Sequence, residues 1–221
     1  MVEGWIHYYW LPEDHYLSTV SFNIDTHTEQ ALQEFLDLMQ EQFKEYDLLL
    51  GYPKENEKAV HFLSTHGFEC IEDDYHNTAF LNAYEPIEAS DRIIRIGKAN
   101  YEYFRHLHTK VEDNMYWNSD RLYADIDNWM IFAEVHDGDP VGCVYYRTAA
   151  DGWFEIFGID LKDDTFDSEL FRNLLGKALN SAKELGGKTM TFFCDKECQE
   201  TVSKLGFKCV GEYVCFQKHL V

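Results

Sequence analysis

The sequence predicts an α/β (α+β) protein made of two related lobes, and three observations predict it. The first is the stretch Trp153 to Gly187, where a short run dense in Phe and Ile is followed by an acidic turn and a long amphipathic helix. The second is the run of paired strand patterns. The clearest pair is Trp129 to His136 with Val141 to Thr148, around the turn Asp137-Gly138-Asp139-Pro140. The third is an internal repeat. Each half of the chain reads strand, strand, long helix, short strand, short helix ending in Gly-Phe, and two closing strands. His66-Gly67-Phe68-Glu69-Cys70 corresponds to Leu205-Gly206-Phe207-Lys208-Cys209.

In chain order, Trp5 to Leu11 and Tyr16 to Asn23 form a hairpin joined at Pro12-Glu13-Asp14. Thr26 or Thr28 caps a helix from about Glu29, with Leu32, Phe35, Leu36, Met39 and Phe43 on one face. Asp47 to Gly51 is a short strand, and Asn56 to His66 is a helix ended by Gly67. Phe68 to Ile71 and Asn77 to Leu81 are two more strands, and Asn82 to Ser90 is the linker candidate. Residues 1–85 then form one lobe and residues 91–221 the other. The second lobe opens with the strand Arg92 to Ile96 and a helix from about Lys98 to Val111. After the central hairpin comes the Trp153 to Leu161 strand, interrupted by Gly158, which marks a bulge or a close approach to backbone. Leu170, Leu174, Leu175, Ala178, Leu179, Ala182 and Leu185 put one apolar face on the next helix, which ends at Gly186-Gly187. Thr189 to Phe193, a short helix Lys196 to Lys204, and strands Phe207 to Val210 and Tyr213 to Lys218 close the chain.

Composition narrows the function. The formal charge is −21, which would repel phosphate backbones and argues against nucleic acid as a partner. Residues 1–90 carry 3 basic against 18 acidic side chains and residues 91–221 carry 16 against 22, so a polyanionic cofactor would prefer the second lobe. No apolar run reaches the roughly 20 residues of a membrane helix. The start, MVEGWIHYYW, lacks a basic leader, so the expectation is a cytoplasmic protein with no membrane partner. Six cysteines in that setting read as free thiols. The Cys194, Cys198, Cys209 and Cys215 spacing is not that of a zinc knuckle, and His106 and His108 fall on different helix faces, so no metal is expected.

The order β–α–β–β–β–α–β–α–β–β over residues 92–218 resembles the GNAT superfamily of N-acetyltransferases. In the first lobe, Asn56-Glu57-Lys58-Ala59-Val60-His61-Phe62-Leu63-Ser64-Thr65-His66-Gly67-Phe68 is similar to the family's late N-x-x-A-x-x-F-Y-x-x-x-G-F pattern, and the second lobe keeps its end, Lys204-Leu205-Gly206-Phe207. The resemblance implies a mixed, mostly antiparallel central sheet flanked by helices, complete in the second lobe and truncated in the first. It implies acetyl-CoA as acyl donor and a small-molecule or peptidic amine as acceptor. A homodimer is compatible with it.

By that resemblance acyl-CoA lies on the fourth strand, against the backbone of Phe157, Gly158 and Ile159. Its pyrophosphate rests on the turn that here reads Phe166-Asp167-Ser168-Glu169-Leu170-Phe171, with Ser168 and Arg172 as contacts. Both glycines of the family's turn are absent, replaced by Glu169 and Phe171, and Asp163, Asp164, Asp167 and Glu169 crowd the helix start. Acids there stabilise the helix themselves and repel a pyrophosphate. Arg172, Lys177 and Lys162 either offset this or are solvated surface groups. Glu155 is the candidate general base, and alternation places Glu155, Phe157 and Ile159 on one face. It is a functional carboxylate or a rim residue in water. The family's acid tyrosine falls at Val202, so Tyr145, Tyr146 or Tyr213 is the substitute, with Tyr213 the choice in the final strand.

Two readings follow: an acyl-CoA-dependent N-acetyltransferase working in the second lobe, or a non-catalytic binding module of the same fold that has lost acyl-CoA. A third use, docking of a basic partner protein on the acidic first lobe, would depend on salt.

Overall fold

A computed structural model describes residues 4–112, 115–163 and 166–221. The chain divides into two compact units. One is the chain up to Asp74 together with Gly211–Val221; the other is Tyr75–Val210.

In the first unit, β1 (Gly4–Leu11) and β2 (Tyr16–Ile24) form an antiparallel hairpin. Its register slips between His7 and Tyr8, leaving Val20 as an extra residue in β2. Helix α1 (Thr28–Gln42) buries Leu32, Phe35, Leu36 and Met39, four positions of one helical stripe. Thr28 is the first residue of the helix and not its cap. His27 holds the cap position at φ 58, with no side-chain cap bond. β3 (Asp47–Pro53) runs parallel to β2, but only Tyr16–Ser18 pair with Asp47–Leu49. Helix α2 (Glu57–Thr65) is capped by the Asn56 side chain, which accepts from the Ala59 N–H. The far edge of β3 is completed by the last strand, β10 (Lys208–His219), paired antiparallel from Tyr213↔Pro53 to His219↔Asp47. Val214, Phe216 and Leu220 join this unit's core with Leu17, Leu48 and Leu63.

In the second unit the strand order is β4-β9-β8-β7-β6-β5. The strands are β4 (Glu69–Phe80), β5 (Ile93–Ile96), β6 (Trp129–His136), β7 (Asp139–Arg147), β8 (Trp153–Leu161) and β9 (Thr189–Cys194). All pairings are antiparallel except β8 with β9. Helix α5 (Ser168–Glu184) packs Leu174, Leu175, Ala178, Leu179 and Ala182 on one sheet face. Helices α3 (Glu102–His108) and α4 (Ser119–Ala124) cover another core of Phe104, Leu107, Trp129, Ile131 and Tyr145. Helix α6 (Gln199–Lys204) follows β9.

Several boundaries differ from the sequence expectation. The helix expected over 98–111 is a 3-10 turn followed by α3. The β6–β7 loop is only Asp137-Gly138, both in the left-handed region (φ 52 and 87). Pro140 is the second residue of β7, in register with Val135, and the bulge follows it at Val141. The two expected pairs of short closing strands are the single long strands β4 and β10. Their polar middles stay extended because they face solvent, where Lys54 bridges Asp73 and Glu212. The compact units divide the chain at 74/75 and 210/211, whereas the sequence expectation is lobes of residues 1–85 and 91–221 with a linker at Asn82 to Ser90. Tyr75–Phe80 pair with β9, and Tyr213–His219 pair with β3. The linker candidate itself is a strap on α5. The Asn180 side chain accepts from the Tyr84 hydroxyl and the Ile87 N–H and donates to the Ile87 carbonyl. No helix among the described residues is long and apolar enough to cross a membrane, and all six cysteines are free.

Candidate functional site

The site is built on β8. Its ladder with β7 runs from Arg147↔Glu155 to Gly142↔Leu161, but Tyr145 pairs with Gly158 and Tyr146 with Ile156. Phe157 is therefore an extra residue, a bulge. On the other edge, β8 pairs with β9 only from Trp153↔Thr189 to Ile156↔Phe192. Beyond Ile156 the β8 backbone has no ladder partner on the β9 side. Parallel strands that part midway expose N–H and C=O groups to whatever enters the gap.

The bulge also reverses which face each side chain takes. Phe157 packs edge-on to Trp129, centroids 4.9 Å apart. Ile159, expected on that same face, packs instead with the α5 core. Asp160 then turns toward α3, where its Oδ2 lies 2.9 Å from His108 Nδ1. Gly158 is required because the Tyr145 hydroxyl sits where a side chain would go.

Glu155 lines a pocket of about 330 Å³ with Arg147, Trp153 and Phe157. Trp153 is 66% exposed, so the pocket offers a carboxylate beside an accessible indole. Arg147 is the register partner of Glu155, and its guanidinium also lies over Trp117. Tyr145 is buried with its hydroxyl at the bulge. Burial, with the charge of Asp160 added, raises its pKa well above the ordinary value, so it keeps its proton. Tyr146 donates to Ser181 on the α5 side. Tyr213 belongs to the first unit, in register with Pro53, and its ring lies against Gly51. The sequence groups it with Glu155 because the final strand reads as part of the second lobe. Pairing to β3 puts it elsewhere in the chain's organisation.

The turn after β8 is closed by its own side chain. Asp167 Oδ1 accepts from the N–H groups of Glu169 and Leu170, each at 3.0 Å. Those donors are the ones a pyrophosphate would use. Asp163 and Glu169 add negative charge, while Asp164 lies outside the described residues. Ser168 is exposed and does not cap the helix. The three nearby cations do not converge on the turn: Lys162 pairs with Asp139, Lys177 lies over the Phe132 ring, and exposed Arg172 contacts Asn173. The β8 gap thus suits an extended arm with amide groups, and the turn does not suit a diphosphate.

A buried polar cluster stands behind the bulge. His108 is fully buried, its Nδ1 toward Asp160 and its Nε2 2.9 Å from the Trp117 carbonyl. Both neighbours are acceptors, so both ring nitrogens are satisfied only in the imidazolium form. Burial opposes that charge, but the Asp160 hydrogen bond and charge, the Trp117 carbonyl and Glu112 outweigh it, and the net pKa shift is upward. The Cys143 thiol also faces Asp160 Oδ2, and burial raises its pKa well above the ordinary value, which leaves it an unreactive thiol. A raised histidine pKa contributes stability fully present below the ordinary value of 6.5 and lost as pH rises through the folded value. The expected result is that melting temperature falls between about pH 6 and about pH 8, values that bracket an ordinary histidine. It should fall less in His108→Gln; equal slopes in the two proteins would remove the imidazolium assignment.

The sequence offers one signal for this cluster: an aspartate two residues past Gly158, at a position where alternation from Phe154 and Ile156 calls for an apolar side chain. Strict alternation would bury Asp160 against α5, and a bulge is what relieves that conflict.

No family model matches the sequence, and no curated protein does. Solved structures match over nearly the whole chain. A functionally unknown conserved protein from Staphylococcus epidermidis superimposes with a TM-score of 0.71 and 13% identity, over 96% of this chain and 90% of that one. A GCN5-related N-acetyltransferase from Sphaerobacter thermophilus gives 0.68 and 13%, over 95% and 75%. A GCN5-related N-acetyltransferase from Kribbella flavida gives 0.65 and 14%, over 92% and 80%. With its mostly antiparallel sheet and flanking helices, the chain has the GNAT fold, the fold of the GCN5-related N-acetyltransferases.

Proposed function

We propose that the second unit is an N-acyltransferase of the GNAT type, moving an acyl group from a thioester donor of the acetyl-CoA class to a small or peptidic amine. The observation that carries this reading is the β8 gap, where the β9 ladder ends at Ile156 beside the Phe157 bulge. The donor, when bound, supplies the activated carbonyl. The chain's own groups do the rest. As the new C–N bond forms and the thioester C–S bond breaks, Glu155, in the pocket with Trp153 and Phe157, accepts the proton that the amine loses, and the donor departs as its thiolate, which solvent protonates. The two aromatic faces attract the ammonium form of the acceptor on its way in. Tyr145 holds its proton at the bulge. Because Asp167 occupies the turn's donors, the nucleotide end of acetyl-CoA adds little to binding.

The two units are also proposed as products of one duplicated scaffold. β1-β2-α1-β3-α2-β4 and β7-β8-α5-β9-α6-β10 follow the same order. Each has a hairpin whose second strand carries one extra residue, Val20 or Phe157, and then a parallel pairing that stops early.

A second reading, a non-catalytic binding module, is favoured by the self-capped turn alone. Incubation of the purified chain with acetyl-CoA and a panel of amines decides between them. Acetylated amine formed by the wild type and lost in Glu155→Gln supports the transferase, and no product from any amine supports the module.

A further inference from the structure

A second cavity, of about 420 Å³, opens beside the N-terminal end of α5. Glu134, Asp163, Asp167 and Glu169 line it, with Arg92 and His136. Four carboxylates against one guanidinium make its wall acidic. Such a rim alone would be a solvated surface, but Glu134 sets this one apart. It lies near the end of β6 and is only 6% exposed. One carboxylate oxygen, Oε1, takes both of its contacts: Ser90 Oγ donates to it at 3.2 Å, and His136 Nε2 is 2.9 Å away. The other, Oε2, is buried with no hydrogen-bond partner among the described residues. A buried carboxylate oxygen left unsatisfied costs free energy, and that cost is removed when a donor arrives. His136 cannot serve both neighbours. Its Nε2 also lies 3.3 Å from Arg92 Nη1, and one nitrogen cannot donate to the carboxylate while accepting from the guanidinium.

We infer that this cavity binds an organic cation carrying more than one ammonium group, one of which donates to Glu134 Oε2 while another lies among Asp163, Asp167 and Glu169. A bare metal ion fits the wall poorly. Among the described residues no three His, Cys, Asp or Glu side chains are placed to hold one, and the volume far exceeds a single ion. A flexible polyamine spans the space between a buried carboxylate and an acidic rim. The formal charge of −21 also draws cations to the protein before any specific contact forms. This site is independent of the acyl-transfer reading, since it uses neither Glu155 nor the β8 gap.

The probe is spermidine, titrated calorimetrically into the full chain at about 0.15 M salt, where long-range surface attraction is screened. Saturable binding is expected. It should weaken about tenfold or more in Glu134→Gln, the loss of one hydrogen bond to a charged group. It should also weaken in the surface double variant Asp163→Asn/Glu169→Gln, which keeps the core intact and decides the matter if Glu134→Gln does not fold. Glu200→Gln, which removes an exposed carboxylate on α6 outside the cavity's lining, should bind as the wild type does. Absence of saturable binding, equal affinity in both carboxylate variants, or displacement of spermidine by equimolar magnesium would overturn the assignment.

Discussion

Glu155→Gln is expected to lower the rate of acyl transfer to an amine by about 10²–10⁴-fold, the contribution of a positioned general base. Glutamine keeps the size of the side chain and its place opposite Arg147, so the fold and the pocket with Trp153 and Phe157 stay as they are. What it loses is the ability to accept a proton from the attacking amine. The effect should fall on the rate constant and leave binding of the thioester donor unchanged, because Glu155 lies before the bulge, in the part of β8 still paired with β9. A variant with unaltered turnover would move the base elsewhere, and one that loses donor binding would make Glu155 structural.

Removal of Gly211–Val221 is expected to unfold the first unit. These residues supply the strand that completes β3, and they bury Val214, Phe216 and Leu220 at 3%, 4% and 0% exposure. Each such side chain is worth about 1.5–3 kcal/mol of burial. The unpaired β3 edge adds further cost, and the sum is comparable to the roughly 5–15 kcal/mol that holds a domain together. Limited proteolysis read by mass spectrometry should show rapid cleavage within α1 and α2 in the truncated chain and protection in the intact one. Protection in both would mean that the last strand is dispensable.

Much of this architecture is legible in the residues. The stripe from Leu170 to Ala182 specifies α5 and its buried face, and Asp137-Gly138 specifies a tight hairpin because both residues tolerate positive φ. The acidic turn is legible too, since an aspartate ahead of a helix is a cap, and Asp167 is one. The partner of each closing strand is not. Period-two patterning in residues 75–80 and 213–218 says that they are strands, but nothing local says which neighbour each will join. For that reason the sequence groups Tyr213 with Glu155 and divides the lobes between residues 85 and 91. The bulge was also hidden. Phe157, Gly158 and Ile159 are apolar or neutral on either face, so the reversal at Phe157 leaves no trace until Asp160. There a buried carboxylate needs His108, a residue 52 positions earlier.

The central claim is that the β8 gap receives the thioester arm of a donor while the turn after it holds no diphosphate. The most direct test compares the affinities of S-acetylpantetheine and acetyl-CoA for the intact protein by isothermal titration. The two should agree within about threefold, because the nucleotide end gains no charge-assisted hydrogen bond and each such bond would add tenfold or more. Acetyl-CoA binding at least about thirtyfold tighter, the mark of more than one such bond, or no binding of either compound, would contradict it.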